Sequence, residues 1–434
     1  MSLRRLLAAG LSAASGRPRF RSLSTTTASH PPWAMVDRLS LAYKSQPPTF
    51  HLAEPPRYSY LQMPAELINT SAEPGPDSDS EQLLGGFVSS SSGADGLLLV
   101  MCCDARLGSP ILAQQGGKQV RHRTGKLVEG HKPDFTYLVC NPLSGQVSRA
   151  PHVHGTTKIW RDPYMGLLTQ ASRGYGLPDR FVIAQLLADN KMLRFRSETD
   201  TWDLVEGTPE LRDRPFARAI AVNQEAVAFG GRLWWVDLSC KAVSVDPFSD
   251  RPESRFVELP KASVLPGVGT LGFQAWMALR DYRRMGVSEG RLRYAEVSQR
   301  EPFVLSSFAL DEEGGGDWTL EHRVALSRVW AADEGNHTPL PLQGEKTPQI
   351  GVLNPLNDSV IHLIVGDHVV AVDMEEGMVI GSSPRRGHGL KSLGFIPCVL
   401  GSRQIPSTGM GVSENQSFAH VRVHSNCQWK YEEY

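Results

Sequence analysis

The sequence has no long apolar run and no excess of charge of either sign, and each absence excludes a class of protein. No apolar stretch among the 434 residues approaches the roughly 20 residues that a membrane-spanning helix needs, so we expect no membrane insertion. Lysine and arginine total 45 against 46 aspartates and glutamates. A chain this close to neutral has no overall field to attract nucleic acid, and we expect no nucleic-acid partner.

Cysteine is also scarce. Six cysteines are too few for a disulfide-rich scaffold of this length, and none belongs to a C-x-x-C pair. We therefore expect neither a structural zinc site nor a thioredoxin-like redox pair. Cys102 and Cys103 lie in the apolar segment GLLLVMCC, where we expect buried thiols acting as small hydrophobic side chains.

The first thirty residues differ in composition from the rest. They contain five arginines and many serines and threonines, and no acidic residue precedes Asp37. Such a basic, acid-free leader is typical of an organellar transit peptide. The segment RPRFRSLS also looks like the arginine-led sites cut by the mitochondrial processing peptidase. We predict that residues 1–30 are a transit peptide and that the protein is mitochondrial.

Other destinations stay open. The segment LLAAGLSAASG has the length of a short secretory apolar core. N-x-S/T triplets, which suit a secreted chain, begin at Asn69, Asn336, Asn357 and Asn415. A chloroplast leader and an untargeted tail of a cytosolic protein are the remaining alternatives.

Residues 31–434 repeat one theme, in which an apolar run of a strand's length is followed by turn residues and a second strand. Long helical periodicity is nearly absent; it is weakly present in ELRDRPFARAIAV, which Pro215 interrupts. Units of roughly 40 to 50 residues indicate radial repetition. We predict an all-β fold, a single β-propeller-like domain of six to seven blades. Two β-sandwich or barrel domains are the alternative.

One segment near the start of this domain interrupts the pattern. Residues 71–96, SAEPGPDSDSEQLLGGFVSSSSGADG, mix proline, glycine, serine and aspartate around a short apolar insert. This composition predicts a long, flexible surface loop.

Three blocks within residues 230–330 resemble a known family. They are GGRLWWVDLSCKAVSVDPFSDRPESRFVELP, then YRRMGVSEGRLRYAEV, then DWTLEHRVAL closing at Trp330. Their order and spacing look like those of the plant proteins grouped as domain of unknown function 1618. The early segment PPWAMVDRLSL is similar to the opening of the same proteins.

The resemblance implies a fold but no activity, because the family has no established substrate or catalytic residue. Many members look like relatives of the β-propeller regions associated with F-box proteins. The unit LVCNPLSGQVSRAP, residues 138–151, is similar to the repeat of those regions. This chain shows no F-box where the leader lies, so an adaptor role in ubiquitination is implied only through the relatives.

The segment GVSEG fits the G-x-S-x-G pattern of a serine-hydrolase nucleophile elbow at Ser288. An elbow needs a buried apolar strand before the serine and a helix after it. The preceding DYRRM is too charged for a buried strand, and the following RLRYAEV alternates like a half-exposed strand. We interpret Gly286 and Gly290 as turn residues that lead into that strand.

Other polar groups favour structural roles. His152 and His154 have a spacing used by some metal-binding strands, but no third ligand is evident. The acidic, glycine-rich segment DEEGGGD, residues 311–317, is interpreted as an exposed turn. A basic segment is interpreted as a hairpin loop, and contact with a partner is the alternative. The segment contains Lys118, Arg121, His122, Arg123, Lys126, His131 and Lys132. In a strand, Trp234 and Trp235 would point to opposite, buried faces.

We therefore assign no catalytic, cofactor-binding or metal-binding residue from the sequence, and no cofactor. The leading hypothesis is a non-enzymatic module that binds an unidentified protein, in an oligomeric state that the sequence does not fix. One alternative is a hydrolase or lyase with its site in the propeller funnel, using residues such as His152, His154, Arg283 and Asp237. The other is a substrate-recognition adaptor for ubiquitination.

Overall fold

The computed structural model describes the greater part of the chain. The described residues are 30–43, 49–64, 67, 80–108, 111–115, 118–122, 134–151, 153, 164–187, 191–206, 224–265, 268–311, 316–333, 347–385, 394–401, 405–406, 416–417 and 420–423.

Strands dominate this part of the chain. The first ten are β1 (Trp33–Asp37), β2 (Leu39–Tyr43), β3 (Thr49–Leu52), β4 (Tyr60–Pro64), β5 (Ser80–Ser91), β6 (Leu98–Gly108), β7 (Ile111–Gln115), β8 (Lys118–His122), β9 (Asp134–Cys140) and β10 (Gln146–Arg149). The next eight are β11 (Gly166–Gln170), β12 (Arg180–Leu186), β13 (Lys191–Arg196), β14 (Thr201–Glu206), β15 (Glu225–Phe229), β16 (Arg232–Asp237), β17 (Lys241–Val245) and β18 (Ser254–Glu258).

The C-terminal half continues this pattern and adds three helices. Its strands are β19 (Arg283–Ser288), β20 (Arg291–Val297), β21 (Val304–Asp311), β22 (Asp317–Ala325), β23 (Gln349–Leu353), β24 (Val360–Val365), β25 (His368–Asp373), β26 (Met378–Pro384), β27 (Phe395–Val399), β28 (Gln416–Ser417) and β29 (His420–Val423). The helices are α1 (Val268–Leu271), α2 (Phe273–Tyr282) and α3 (Leu326–Asp333). None of the helices in the described residues is long and apolar enough to cross a membrane.

The strands form five blades of a β-propeller. Blade 1 is the part β5-β6-β9-β10 of a nine-stranded sheet, which continues beyond β5 through β2, β4, β3 and β29 and beyond β10 to β28. Blades 2 to 5 are four-stranded antiparallel sheets made of consecutive strands, β11–β14, β15–β18, β19–β22 and β23–β26. The prediction of an all-β propeller is confirmed, and the alternative of two sandwich or barrel domains is wrong.

The inner strands of the blades surround a central channel. Going round the ring, β5, β11, β15, β19 and β23 lie side by side, and β27 lies between β23 and β5. Among the described strands, β27 pairs with β1 alone, in a two-stranded sheet, so this position is closed by a pair of strands instead of a full blade. The ring is thus completed by pairing between the first described strand and one of the last.

The predicted count of six to seven blades is therefore wrong, because the strands of the described residues form five blades. The estimate divided the length of the domain by the length of one unit. Several strands lie outside the blades, including β2 to β4 and the separate hairpin of β7 and β8. A count from length assigns those residues to blades that the described strands do not form.

Burial changes from the inside of a blade to its outside, as a stacked sheet requires. In blade 5, all six residues of β24 are buried, whereas the outermost strand β26 has exposed or half-buried residues at most positions. Strands buried on both faces are apolar throughout, which explains the short apolar runs in the sequence. Trp234 and Trp235 confirm the prediction for their strand, because they pack against blades 4 and 2 respectively and are at most 5% exposed.

The loop predicted over residues 71–96 is wrong from Ser80 onward. Residues 80–91 form the inner strand β5, and residues 71–79 lie outside the described residues. Serines do not prevent burial of this strand, because two of their hydroxyls, those of Ser89 and Ser91, bind backbone carbonyls of neighbouring segments of the ring. Ser89 Oγ donates to the Met165 carbonyl and Ser91 Oγ to the Pro397 carbonyl, each at 2.8 Å. Composition alone does not show that long-range partners satisfy these two hydroxyls, whereas the buried Ser90 Oγ has no partner among the described residues.

The ring depends on packing at its closure. Met35 in β1 is fully buried against blade 5, beside Val352, Ile364 and Phe395. Met35→Ala should lower the free energy of unfolding by about 2–5 kcal/mol, because it removes a buried side chain and leaves a cavity. The matched control is Met378→Ala, in the outer strand β26 at 42% exposure, which should change stability little. Denaturant unfolding measures both, and equal effects would contradict the importance of the closure.

His362 predicts a pH dependence of stability. It is buried in β24 with its ring 5.3 Å from that of Trp33, and burial lowers its pKa from 6.5 to about 4. Between these values the unfolded chain binds a proton that the folded chain does not, so stability falls as pH falls. His362→Leu should reduce this loss by about 3 kcal/mol between pH 6.5 and 4. Urea unfolding across this range tests it; an unchanged slope would contradict the effect.

Candidate functional site

The ends of the inner strands meet at one mouth of the channel. The Glu289 N–H, just after β19, donates to the Pro355 carbonyl, just after β23, at 2.9 Å. Thr169 in β11 donates a hydrogen bond to Asp95, just after β5. At Gly96 (φ +71°) an added Cβ would lie 2.3 Å from the Val399 carbonyl of β27, so glycine is required there. These contacts join the ends of neighbouring inner strands, and together those ends form the rim of the mouth.

Below the mouth lies a cavity of about 350 Å³. Its wall is mainly aliphatic and comes from four neighbouring inner strands; Ala228, Met285, Val287, Leu353, Phe395 and Ile396 are among the residues that form it. A pocket of this size and character is typical of sites for small organic ligands. Among the described residues that line it, the charged ones are Glu289 at the mouth and three at the opposite end.

Those three, Arg38, Glu225 and Arg284, form a buried cluster at the base of the channel, each at most 5% exposed. Arg284 Nη1 donates to Glu225 Oε1 at 2.5 Å, and the Met285 N–H donates to Glu225 Oε2 at 2.9 Å. Arg38 Nη2 lies 3.8 Å from Glu225 Oε1, outside hydrogen-bond distance. Glu225 is therefore hydrogen-bonded to Arg284 and to the backbone. Between Glu225 and Arg38 there is only a longer-range electrostatic attraction.

Arg38 is held by its backbone between the closure and blade 1. Its N–H donates to the Gly394 carbonyl at 3.4 Å, and its own carbonyl accepts from the Val88 N–H at 2.7 Å. Its Nη1 donates to the Ser89 carbonyl at 3.3 Å, whereas its Nε has no hydrogen-bond partner among the described residues. Burial, reinforced by the nearby Arg284 and opposed by Glu225, lowers the pKa of Arg38 to about 10. The side chain is still charged at neutral pH.

The surroundings of the cluster add positive charge. Arg280, on α2, donates a hydrogen bond to the Tyr164 hydroxyl, and both lie close enough to influence Arg38. No carboxylate is bonded to Arg280 among the described residues. Gly394 (φ +88°) makes room for Arg284, since an added Cβ would lie 1.9 Å from Arg284 Nη2. The base of the channel therefore holds more guanidinium groups than carboxylates.

Ser288 lies at the end of β19 and is followed by a hairpin, as predicted. Glu289 and Gly290 both have positive φ, +48° and +71°, and β19 pairs with β20 across this turn. Ser288 is buried, and its Oγ donates to the Asn354 carbonyl at 2.5 Å. No helix follows the serine, so the strand-to-helix geometry of a nucleophile elbow is not formed.

Two details of that interpretation are wrong. Gly286 lies inside β19 and is not a turn residue, and the preceding arginines do not prevent a buried strand. Arg284 is accepted in the interior because Glu225 neutralises it, and Arg283 because it donates to the Leu238 and Ser263 carbonyls at 2.8 and 2.7 Å. Charge excludes a residue from a buried strand only when it has no partner there.

The residues considered for an enzyme are not brought together in the channel. Asp237 accepts hydrogen bonds from Ser239 and from Trp276 Nε1, the latter at 3.1 Å, and so joins blade 3 to α2. Arg283 lies nearby, bonded to backbone carbonyls, and neither residue lines the cavity. His152 and His154 lie outside the described residues.

One further group has the composition of a metal site. Single ligand atoms of Glu321, His322 and Asp358 lie within 4.8 Å of one another. The buried guanidinium of Arg293 lies against both carboxylates, with Nη2 2.6 Å from Glu321 and in direct contact with Asp358. Although burial raises the pKa of Glu321, hydrogen bonds from Arg291 and Arg293 hold it below its usual value. This ion-pair network joins blade 4 to the connection before β24.

The remaining sequence candidates have structural positions or lie outside the described residues. Lys118 to His122 form strand β8, paired with β7, whereas Arg123, Lys126, His131 and Lys132 are not described. Asp311 pairs with Asp317 across a hairpin, as predicted for the acidic turn. Cys102 is fully buried, which raises its pKa to about 12, and Cys103 is half-buried. The prediction of a buried, hydrophobic thiol is confirmed for Cys102.

Sequence reasoning did not identify Arg38, Glu225 and Arg284 as a cluster. A usable signal exists for two of them, because Glu225 and Arg284 each precede a short run of small or apolar residues, AVAF and MGVS, that becomes an inner strand. Both residues line the base of the channel. Arg38 gives no comparable signal, since its position depends on the closure of the ring.

Comparisons with known proteins identify one region of the chain. No curated protein matches the sequence significantly. Among solved structures, AztD from Citrobacter koseri is similar at 10% identity and a TM-score of 0.28, over 72% of this chain and 82% of its own. The complex of the fission yeast SREBP–SCAP binding domains gives 10% identity and a TM-score of 0.24, over 74% of this chain and 94% of its own. Scores this low establish neither a shared function nor a shared site.

The family comparison is more specific. Residues 235–362 match the family described as Protein of unknown function (DUF1618). The matched region runs from β16 in blade 3, through blade 4, to β24 in blade 5, and it contains Arg284 but neither Arg38 nor Glu225. The resemblance noted in the sequence is thus confirmed over residues 235–362.

Proposed function

We propose that the protein is a non-enzymatic interaction module that binds an apolar segment of a partner protein at the mouth of its channel. The wall of the channel is the main support, because it is aliphatic. Acid–base or nucleophilic catalysis needs a group free to exchange protons or to attack. The buried carboxylate of Glu225 is instead held by Arg284 and by the Met285 N–H.

The rim of the mouth carries exposed apolar side chains. In the connection between β11 and β12, Tyr175 is 75% exposed and Leu177 72%. This connection is held by hydrogen bonds from Ser172 to Asp179, at 2.7 Å from the backbone and 2.5 Å from the hydroxyl. Leu356, in the connection after β23, is 45% exposed and lines the mouth. Exposed tyrosine and leucine side chains on an anchored loop favour contact with another protein.

A pair of matched double variants tests this role. Full-length protein is used to purify a stoichiometric partner from cells that express it, and the purified partner is then titrated by calorimetry. Tyr175→Ser with Leu177→Ser should weaken binding at least tenfold, because it removes the apolar contact of the rim. Leu204→Ser with Ile380→Ser removes side chains of 52% and 53% exposure from outer strands and should leave the affinity unchanged.

Two results would contradict the proposal. One is equal weakening by both double variants, which would place the interface away from the mouth. The other is turnover of a small molecule by the purified protein that survives the rim substitutions, which would favour an enzyme. Unfolding midpoints of the variants, measured in parallel, show whether a loss of binding reflects a loss of folding.

We also propose that the module acts in mitochondria, on the basis of the basic, acid-free composition of residues 1–30. A full-length fluorescent fusion should enter mitochondria, whereas a fusion that lacks residues 1–30 should not. Replacing Arg4, Arg5, Arg17, Arg19 and Arg21 by glutamine at full length is the matched control and should also abolish import. Delivery of the unchanged fusion to chloroplasts, the secretory route or the cytosol would overturn this part of the proposal.

A further inference from the structure

The two ends of the channel differ in charge, and partner binding at the rim involves only the mouth. At the mouth it is open and lined by strand connections, and along its length the wall is aliphatic. At the base it ends in three charged side chains that are almost fully buried. A molecule that fits such a space has an apolar body and one charged end, and the charge of the base decides its sign.

The charge of the base is positive. Arg38 and Arg284 share a single carboxylate, that of Glu225, and only Arg284 is hydrogen-bonded to it. Arg280 is bonded to a neutral hydroxyl, that of Tyr164. Buried guanidinium groups without matching carboxylates are unfavourable, because desolvation is not repaid by pairing. A bound anion would restore the balance.

The Arg38 guanidinium has N–H groups that can donate hydrogen bonds to a ligand. Its guanidinium makes one hydrogen bond within the described residues, at 3.3 Å to the Ser89 carbonyl, although it is only 4% exposed. Its Nε is buried and has no partner there. Its position beside the Phe87 ring, 5.6 Å from the centroid, fixes the plane of the group without satisfying its N–H bonds. A guanidinium in this state is suited to the planar, two-oxygen geometry of a carboxylate.

We infer that the channel binds an amphipathic monocarboxylate, with its carboxylate at Arg38 and Arg284 and its apolar body in the cavity above them. A single negative charge fits better than two, since Glu225 already neutralises part of the cluster and the Met285 N–H is committed to Glu225. The cavity of about 350 Å³ accommodates a medium-length chain or an aromatic ring. The charged end of this site lies at the base of the channel, away from the rim, and the inference does not depend on the partner proposed above.

Five probes separate the contributions of charge and of the apolar body. Calorimetric titration of the full-length protein compares octanoate and 4-phenylbutyrate with octanol, acetate and octyl phosphate. We expect one or both of the first two to bind with one-to-one stoichiometry. Octanol lacks the charge and acetate lacks the body, so each should bind at least tenfold more weakly. Octyl phosphate carries the same tail with a larger, more highly charged head and should also bind at least tenfold more weakly.

Two variants locate the site. Arg38→Met should reduce the preference for octanoate over octanol at least tenfold. Gly286→Leu should reduce octanoate binding at least tenfold by filling the channel. Gly286 lines the cavity, and a Cβ added there would meet its nearest neighbour, Leu353, at 4.0 Å, so the fold should tolerate the substitution. Arg251→Met, at an exposed position, is the control and should leave binding unchanged.

The outcomes decide the inference even if Arg38→Met does not fold, because the probe series and Gly286→Leu do not require that variant. Octanol binding as tightly as octanoate, or no binding of either carboxylate, would overturn it. Preference for octyl phosphate would replace the carboxylate by a phosphate monoester. Octanoate binding that Gly286→Leu leaves unchanged would place the ligand elsewhere. None of these results alters the test of partner binding at the rim.

Discussion

The structure depends on one physical constraint, which is that every blade needs a neighbour packed on each of its two faces. Each four-stranded sheet buries apolar side chains on its two faces, so no blade is complete alone. Apolar clusters accordingly fill the interfaces between blades 1 and 2, 2 and 3, 3 and 4, and 4 and 5. The last gap, between blades 5 and 1, is filled by the pair of β1 and β27. In β1, Trp33 and Met35 face blade 5, whereas Ala34 and Val36 face blade 1.

The same closure creates the site. Arg38 immediately follows β1, and its backbone is bonded to Gly394, just before β27, and to Val88 in β5. These bonds bring its side chain beside Glu225 of blade 3 and Arg284 of blade 4. Residues far apart in the sequence therefore meet only when the ring is complete. The base of the channel and the stability of the fold are two results of one strand pairing.

This dependence explains which features the sequence could predict. Local patterns predicted the strands, the hairpin after Ser288 and the two buried faces at Trp234 and Trp235, because each rests on neighbours along the chain. The serine-rich strand β5 and the arginines of β19 were misjudged, because distant carbonyls and carboxylates make their burial acceptable. The number of blades depends on which strands join the ring, and that is decided by pairing across the whole chain.

The composition of the channel base is the remaining physical question. An interior that served stability alone would gain from apolar residues of similar size, since replacing buried ion pairs by packed hydrophobic residues is often neutral or stabilising. The base instead combines Arg38 and Arg284 with one carboxylate, and Gly394 gives up a side chain to make room for a guanidinium. Glu225 holds Arg284 in place, and Arg38 lies at the end of an aliphatic channel with unused donors. An arrangement that lowers stability and directs positive charge toward a cavity is explained by a ligand whose anionic end supplies the missing partner.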